Sequence, residues 1–254
     1  MSNFLAKMLV LAAALAIVSG CLWYMQRGWV PEDPTEIRVD PRVEQQVLAL
    51  LEQAEGASYL ESLSLFSHLR DLGPSATPVL VKSLQNDSPR QRAFAMNVLK
   101  YCGNASVIPH IEARLADADP IVRRTALDAL GGLNAIESIP AMILVLNDRD
   151  GSTRCQAALV LGSLQADSAV VPLIDVLQND DYAVARQMAA NALGEIGNES
   201  AICALTDSLS DENALVRMAS NSALTRIRHI GGEDLKGMPV AKMCGEKTGA
   251  EALD

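Results

Sequence analysis

The residues from Val170 to Gly197, VVPLIDVLQNDDYAVARQMAANALGEIG, contain two amphipathic segments joined by an Asp-rich turn. In the first segment, Val170, Leu173 and Leu177 recur at the spacing of one helix face. The second segment carries Arg186, followed at helical spacing by small residues and a leucine. Two such helices cannot bury both apolar faces against each other alone. The stretch therefore predicts one helical pair of a stacked array.

The same pattern recurs through residues 74–230, where the arginine of each second helix follows the last one after 31, 31, 32 and 31 residues. Self-similarity at this period is typical of a solenoid, whose units bury their apolar faces only against neighbours. The recurring positions are the arginines Arg92, Arg123, Arg154, Arg186 and Arg217, the small residues Ala95, Ala126, Ala157, Ala189 and Ser220, the leucines Leu99, Leu130, Leu161, Leu193 and Leu224, and the first-helix leucines Leu84, Leu115, Leu146, Leu177 and Leu209.

The pattern resembles the short, 31-residue HEAT repeat that also occurs in phycobilisome lyases, and residues 170–197 match its consensus at nearly every position. The resemblance implies an all-α fold, a right-handed α-solenoid of HEAT-like helix pairs with one degenerate N-terminal cap and five regular repeats. It also implies a ladder of hydrogen-bonded ion pairs between successive repeats, with a structural role; Asn86 departs from it by lacking a charge. The matching positions are Arg92, Arg123, Arg154, Arg186 and Arg217 with Asp117, Asp148, Asp180 and Asp211.

The regions that flank the regular repeats differ from them. Residues 42–73 are predicted to be a degenerate capping repeat, because Leu69 takes the closing-leucine position but Ser62 stands where the arginine would be. After Arg228 the period stops, and the following residues contain five glycines and Pro239. Residues 231–254 are therefore interpreted as a flexible tail or a C-terminal cap.

The N-terminus carries a targeting signal. Residues 8–25 lack any charge, and within them Val18-Ser19-Gly20-Cys21 resembles the bacterial lipobox, in which the cysteine is lipidated. Leu22-Trp23-Tyr24-Met25 extends the apolar run, which leaves an uncleaved membrane helix as the alternative. Residues 1–25 are thus a signal, lipoprotein or anchor segment, and 26–41 an extended, Pro-containing tether. We expect a bacterial membrane-anchored protein on the non-cytosolic side, either periplasmic or at the cell surface, with lipidation of Cys21 favoured.

Composition bears on the class of ligand. The net charge of −10, from 21 basic and 31 acidic residues, argues against a nucleic-acid partner, which a basic surface would bind; solubility is the simplest reason for it. The five cysteines show no metal-site spacing, and small buried thiols are favoured, with a Cys203–Cys244 disulfide left open. His68, His110 and His229 fall in separate repeats, without a catalytic spacing. The sequence therefore predicts no catalytic residues, no metal, no cofactor and no enzymatic activity.

A surface stripe on the second helices is the candidate binding site. Positions one, five and nine residues after each arginine vary between repeats while the core positions do not, as expected of a recognition surface, although an ordinary solvated surface is the alternative. We expect a non-enzymatic scaffold or adaptor that binds a protein partner along the concave side; a chromophore lyase or accessory enzyme is the alternative. The residues of this variable stripe are Asn97, Tyr101, Arg124, Asp128, Leu159, Gln187, Asn191, Glu195 and Arg226, together with Ser163 and Met218.

Overall fold

The computed structural model describes residues 33–35 and 37–230. Within these residues it contains twelve α-helices and no strand, so the predicted all-α class and the solenoid of helix pairs are confirmed. Short 3-10 turns precede the first helix of every regular pair. The helices are α1 (Pro41–Gly56), α2 (Tyr59–Asp71), α3 (Thr77–Ser83), α4 (Pro89–Cys102), α5 (Ile108–Glu112), α6 (Pro120–Gly132), α7 (Ile139–Leu144), α8 (Gly151–Ser163), α9 (Val170–Asn179), α10 (Ala183–Ile196), α11 (Ile202–Asp207) and α12 (Ala214–Ile230).

The helices stack as consecutive pairs. The pair α1/α2 packs against α4, and each later second helix packs against the next one, in the order α4, α6, α8, α10, α12. The first helices begin with a proline in the first turn at Pro78, Pro109 and Pro140, where its missing N–H has no helical partner to lose. The second helices begin after side-chain caps such as Asp119 and Asp150, whose carboxylates accept backbone N–H groups. Capping and proline chemistry thus set where each pair starts.

One continuous apolar core runs through the stack, from Val47 in α1 to Ile227 in α12. The small-residue column lies between neighbouring second helices, and all five of its members are fully buried. Alanine at this position lets the helix backbones approach closely, which explains a core built with so few aromatic rings. The closing leucines of the second helices are buried with them.

A column of glycines serves the packing of neighbouring second helices. Gly131, Gly162 and Gly194 lie inside helices. A Cβ on Gly162 would come within 2.8 Å of the Ala192 Cα, and one on Gly194 within 2.7 Å of the Ala223 Cα. Helix ends are instead marked by Gly197, with φ of 77°, and by the left-handed residues Asn134 and Gln165.

The part of the tether that the structure describes lies against the body. Asp33 Oδ1 is 3.2 Å from His110 Nε2 at the start of α5, and Pro34 is buried. The Thr35 hydroxyl and N–H both donate to Asp33, and these bonds, with a smaller effect of His110, lower the pKa of this carboxyl. In residues 37–230, no helix has the length and apolar content that crossing a bilayer requires. The predicted targeting segment at residues 1–25 lies outside the described residues.

The described cysteines are in two states. Cys102 and Cys155 are free, half-buried thiols, and burial raises the pKa of both. Cys203, at the start of α11, is disulfide-bonded, and its partner lies outside the described residues. The interpretation as buried thiols therefore applies to Cys102 and Cys155 but not to Cys203.

Candidate functional site

A ladder of arginine–aspartate pairs runs along the turns of the solenoid. Arg186 donates from Nε and Nη2 to the two carboxylate oxygens of Asp211, at 2.9 and 3.0 Å, and from Nη1 to the backbone carbonyl of Asp180 at 2.9 Å. Asp211 also accepts the N–H of Asn213 at 2.7 Å. Each rung therefore joins the turn of one repeat to the turn of the next. The four rungs are Arg92–Asp117, Arg123–Asp148, Arg154–Asp180 and Arg186–Asp211.

The ladder changes at both ends. Arg217 donates from Nη1 to the carbonyls of Asp211 and Glu212, and no carboxylate among the described residues reaches the rest of its guanidinium. At the other end, no arginine of the capping repeat reaches Asn86, whose side-chain oxygen accepts, from the part of the chain that the structure describes, only the N–H of Ser88. A neutral amide fits this position, because an aspartate there would lack a cationic partner. The departure of Asn86 from the family pattern thus has a local cause.

The rung side chains are well shielded from solvent. In Asp211 the Arg186 hydrogen bonds are the main reason for a lowered pKa, acting against desolvation. In Asp180 burial raises the pKa, but hydrogen bonds from Arg154 and from the Tyr182 N–H outweigh it, and the net shift is downward. Bidentate, charge-assisted geometry of this kind stabilises the charged forms of both partners. The ladder therefore holds neighbouring repeats together and offers little surface to a ligand.

The variable stripe is more accessible than the ladder. Its predicted members all lie on second helices, from α4 to α12, and none is fully buried. Tyr101 exposes 64% of its surface. The exposed members are Asn97, Tyr101, Leu159, Ser163, Met218 and Arg226, and the half-buried members are Arg124, Asp128, Gln187, Asn191 and Glu195.

Several charged members of the variable stripe are already paired within the chain. Lys100 Nζ is 2.8 Å from the Asp128 carboxylate and lies 5.5 Å from the ring centre of Tyr101. Arg124 approaches the helix-capping Asp150 at 3.7 Å. Lys100 is a contributor that the sequence analysis missed, because it falls one residue before the sampled position. The charges at this end of the stripe are therefore held in fixed positions and remain partly exposed.

At the C-terminal end, the variable stripe opens into a groove of about 520 Å³. Three predicted residues meet there: Ser163, Glu195 and Arg226, with Glu195 Oε1 3.8 Å from Arg226 Nη1. Gln165 and His229 also line it; both lie near helix ends, outside the repeating positions that the sequence analysis sampled. The glycine column forms its floor at Gly162 and Gly194. The groove is thus lined by a carboxylate, a guanidinium and an imidazole, together with an amide and a hydroxyl group.

The repeat pattern has a recognised family counterpart. A family model described as HEAT repeats matches residues 77–143 and 139–225, more than half of the chain. The chain belongs to the HEAT-repeat family. Deoxyhypusine hydroxylase-B of rice (Oryza sativa subsp. japonica) is 31% identical over 108 residues, 42% of this chain and 36% of that protein. The chain thus spans about a third of the length of this curated relative.

Solved HEAT-type structures share the fold at low sequence identity. The complex of CpcE and CpcF of phycocyanin lyase from Nostoc sp. PCC7120 is 18% identical, with a TM-score of 0.53, covering 58% of this chain and 98% of that chain. An engineered protein is 22% identical, with a TM-score of 0.50, covering 76% of this chain and 95% of that chain. These similarities support the helical solenoid.

The prediction that the chain is not an enzyme is wrong. The proteins to which it is similar, at low identity, include two enzymes, a deoxyhypusine hydroxylase and a phycocyanin lyase. Catalytic groups at short spacings are a poor criterion in this fold. In a solenoid, residues about one repeat apart become neighbours, as the hydrogen bond from the Ser138 hydroxyl to Glu112 illustrates. A missing local motif therefore carries little weight in this fold.

Proposed function

We propose that this HEAT-repeat protein is a membrane-tethered scaffold or adaptor that binds a segment of a protein partner along the variable stripe. The observation that carries the proposal is the contrast between neighbouring helix positions. The ladder and the small-residue column keep nearly the same residue types and, apart from Arg217, are shielded from solvent, whereas the stripe changes from repeat to repeat and exposes side chains such as Tyr101 and Leu159. Exposed aromatic and aliphatic side chains among polar groups are typical of protein interfaces.

The chemistry of the stripe favours an extended or helical peptide over a small molecule. Its residues follow five successive second helices, so an occupant has to be long enough to cross several repeats. The C-terminal groove supplies Glu195 and Arg226, which would pair with a cation and an anion of the occupant. Near the other end, the Tyr101 ring packs edge-on against Phe66, with ring centres 5.3 Å apart, and would provide an apolar anchor.

The N-terminal segment supports the membrane tether. The apolar run with Cys21 provides the anchor, and the chain reaches the body at Asp33, beside His110. Asp33 is twelve positions after Cys21, and the connecting chain spans at most about 40 Å. A lipidated Cys21 would therefore keep the body close to the bilayer surface, with the α5 side of the solenoid nearest to it.

Site-directed photocrosslinking of the full-length protein in its native membrane tests the binding surface. A photoreactive amino acid at Leu159 or Tyr101 should give a discrete adduct with a partner protein. Val171, on the first helix α9 and 74% exposed, is the matched control and should give none. Replacing Arg124, Asp128 and Asn191 by Ala should weaken the adduct at Leu159. Equal adducts at Leu159 and Val171 would refute the stripe as the interface.

Cys21→Ser tests the membrane anchor. If Cys21 is acylated, the variant should lose incorporation of a fatty-acid probe and remain an uncleaved precursor, 20 residues longer than the mature chain. If the apolar run is an uncleaved helix, neither mobility nor membrane association should change, because one thiol contributes little to an 18-residue apolar segment. The second result would reject lipidation and leave the tethered scaffold intact.

A chromophore lyase is the second candidate, because the phycocyanin lyase complex has the same fold. Incubation with a bilin provides the test, read as a shift of its absorption spectrum and as stoichiometric retention on a sizing column. Glu195→Gln and Arg226→Gln in the C-terminal groove should abolish such retention if it occurs there. Failure of the wild-type protein to retain the bilin would remove this candidate.

A further inference from the structure

The C-terminal face of the solenoid is open among the described residues. Leu209 in the last pair is 37% exposed, whereas the other four leucines of its column are at most 8% exposed. Met218, directly after the ladder arginine, is 67% exposed, whereas the residues at the same position of the preceding repeats are buried or half-buried, namely Ala93, Arg124, Cys155 and Gln187. No described carboxylate takes the place beside Arg217 of the one that each earlier ladder arginine receives from the following repeat. One more segment packed on this face would cover Leu209 and Met218 and could supply a carboxylate to Arg217.

The chain that continues beyond Ile230 starts next to this face. Ile230 lies beside Gly197, since a Cβ on that glycine would be 2.9 Å from the Ile230 Cδ1. Gly197 is followed within five residues by the start of α11, which carries Cys203. The remaining segment, residues 231–254, includes the apolar residues Leu235, Met238, Val240 and Met243, the acidic residues Glu233 and Asp234, and Cys244.

The cysteines limit the choice of disulfide partner for Cys203. Because Cys102 and Cys155 are free, an intramolecular partner is Cys21 or Cys244. Cys244 is 14 residues beyond Ile230, and such a length reaches up to about 45 Å from a point already near α11. Cys21 would have to cross three repeats from the contact of Asp33 with His110, about 30 Å at ordinary helix spacing, which is roughly three quarters of the full reach of its connecting chain.

We infer that residues 231–254 form the C-terminal cap of the solenoid, covering Leu209 and Met218 and fixed to the last repeat by a Cys203–Cys244 disulfide. Two thiols lose two electrons and two protons to an external thiol-oxidising system when this bond forms, as happens in oxidising compartments such as the bacterial periplasm. The Cys21 thiol is then left available for acylation, since one sulfur atom cannot hold a lipid thioether and a disulfide together.

Peptide mapping of the full-length protein without reductant tests the bond. Trypsin releases Cys203 in the peptide 187–217, Cys244 in 243–247 and Cys21 in 8–27. The expected result is a covalent 187–217/243–247 pair that dithiothreitol separates. A 187–217/8–27 pair, a free Cys203 or a dimer linked through Cys203 would each overturn the inference. Cys155→Ser is the matched control and should leave the cross-linked pair unchanged.

Oxidation of methionines by hydrogen peroxide tests whether the segment covers the face. In the disulfide-bonded, full-length protein, Met218 should react nearly as slowly as Met142, which is fully buried in the core. In the full-length Cys244→Ser variant, Met218 should react at least about tenfold faster, because local opening now exposes it, while Met142 stays slow. Rapid oxidation of Met218 in the disulfide-bonded protein would refute the cap. Met218 also belongs to the variable stripe, so the measurement uses the purified protein, in which no bound partner shields this residue.

Discussion

The central pair α7/α8 and the final pair α11/α12 follow the same sequence pattern but have different surroundings. In the central pair, Asp148 binds Arg123 of the preceding repeat, and Arg154 binds Asp180 of the following repeat. In the final pair, Asp211 binds Arg186 of the preceding repeat, but among the described residues Arg217 reaches only backbone carbonyls. The difference shows that a repeated residue does not have a fixed energetic value. Its contribution depends on how many neighbouring repeats it contacts.

The largest expected effect concerns the leucine core. Leu161→Ala in α8 should lower the free energy of unfolding by about 2–5 kcal/mol, because a fully buried leucine leaves a cavity between two neighbouring repeats. Leu69→Ala in the capping pair should cost less, because that pair has a regular neighbour on one side only. Denaturant melts followed by circular dichroism measure both losses. Equal losses would contradict the proposed dependence on position.

The ladder gives the next effect. Arg154→Ala leaves Asp180 shielded and without its bidentate partner, and should cost about 2–3 kcal/mol. Arg217→Ala is the matched control and should cost under about 1 kcal/mol, because within residues 37–230 this exposed side chain bonds only carbonyls of its own repeat. The same melts measure both variants. A loss at Arg217 as large as that at Arg154 would mean that Arg217 pairs with a carboxylate outside the described residues.

A smaller effect should appear in acid. The folded-state pKa values of Asp117, Asp180 and Asp211 lie below the ordinary value of 3.8, so the unfolded chain binds protons first as the pH falls. Their contribution to stability is complete above about pH 5 and is lost as the pH falls through 3.8 and then through the lower folded values. Asp180→Asn should flatten the acid limb of stability measured against pH. An unchanged acid limb would show that this rung carries no such linkage.

The smallest effect is a gain at the end of the small-residue column. Ser220 is fully buried, and its hydroxyl has no hydrogen-bond partner among the described residues. Ser220→Ala removes this unsatisfied group and should raise the free energy of unfolding by about 1 kcal/mol. Ala189→Ser, the reverse change one repeat earlier, should lower it by a similar amount. A stability loss in Ser220→Ala would show that the hydroxyl does find a partner.

The sequence predicted the features that depend on the period alone. The buried alanine and leucine columns follow from helical spacing, because every unit has to present the same apolar residues to its neighbours. The turns that carry the ladder aspartates were located in the same way. The positions of the variable stripe on second helices also agree with the described helices, although its role in binding stays a prediction.

Other features depend on distances between repeats, which a single helix pattern does not contain. The packing role of the glycine column is one of them, because Gly162 faces Ala192, which lies a full repeat away in the sequence. The contact of Asp33 with His110 likewise joins residues that no local motif connects. The same limitation made short-spaced catalytic motifs a poor guide to enzymatic activity.

The ladder also bears on how such a chain can change over evolutionary time. Every rung takes its arginine from one repeat and its aspartate from the next, and each interior unit supplies both. Duplication or deletion of one whole unit would leave every carboxylate with a guanidinium. A deletion of a few residues inside a unit would shift one arginine away from its turn and leave a shielded aspartate unpaired. The number of repeats can therefore vary more freely than the length of any one of them.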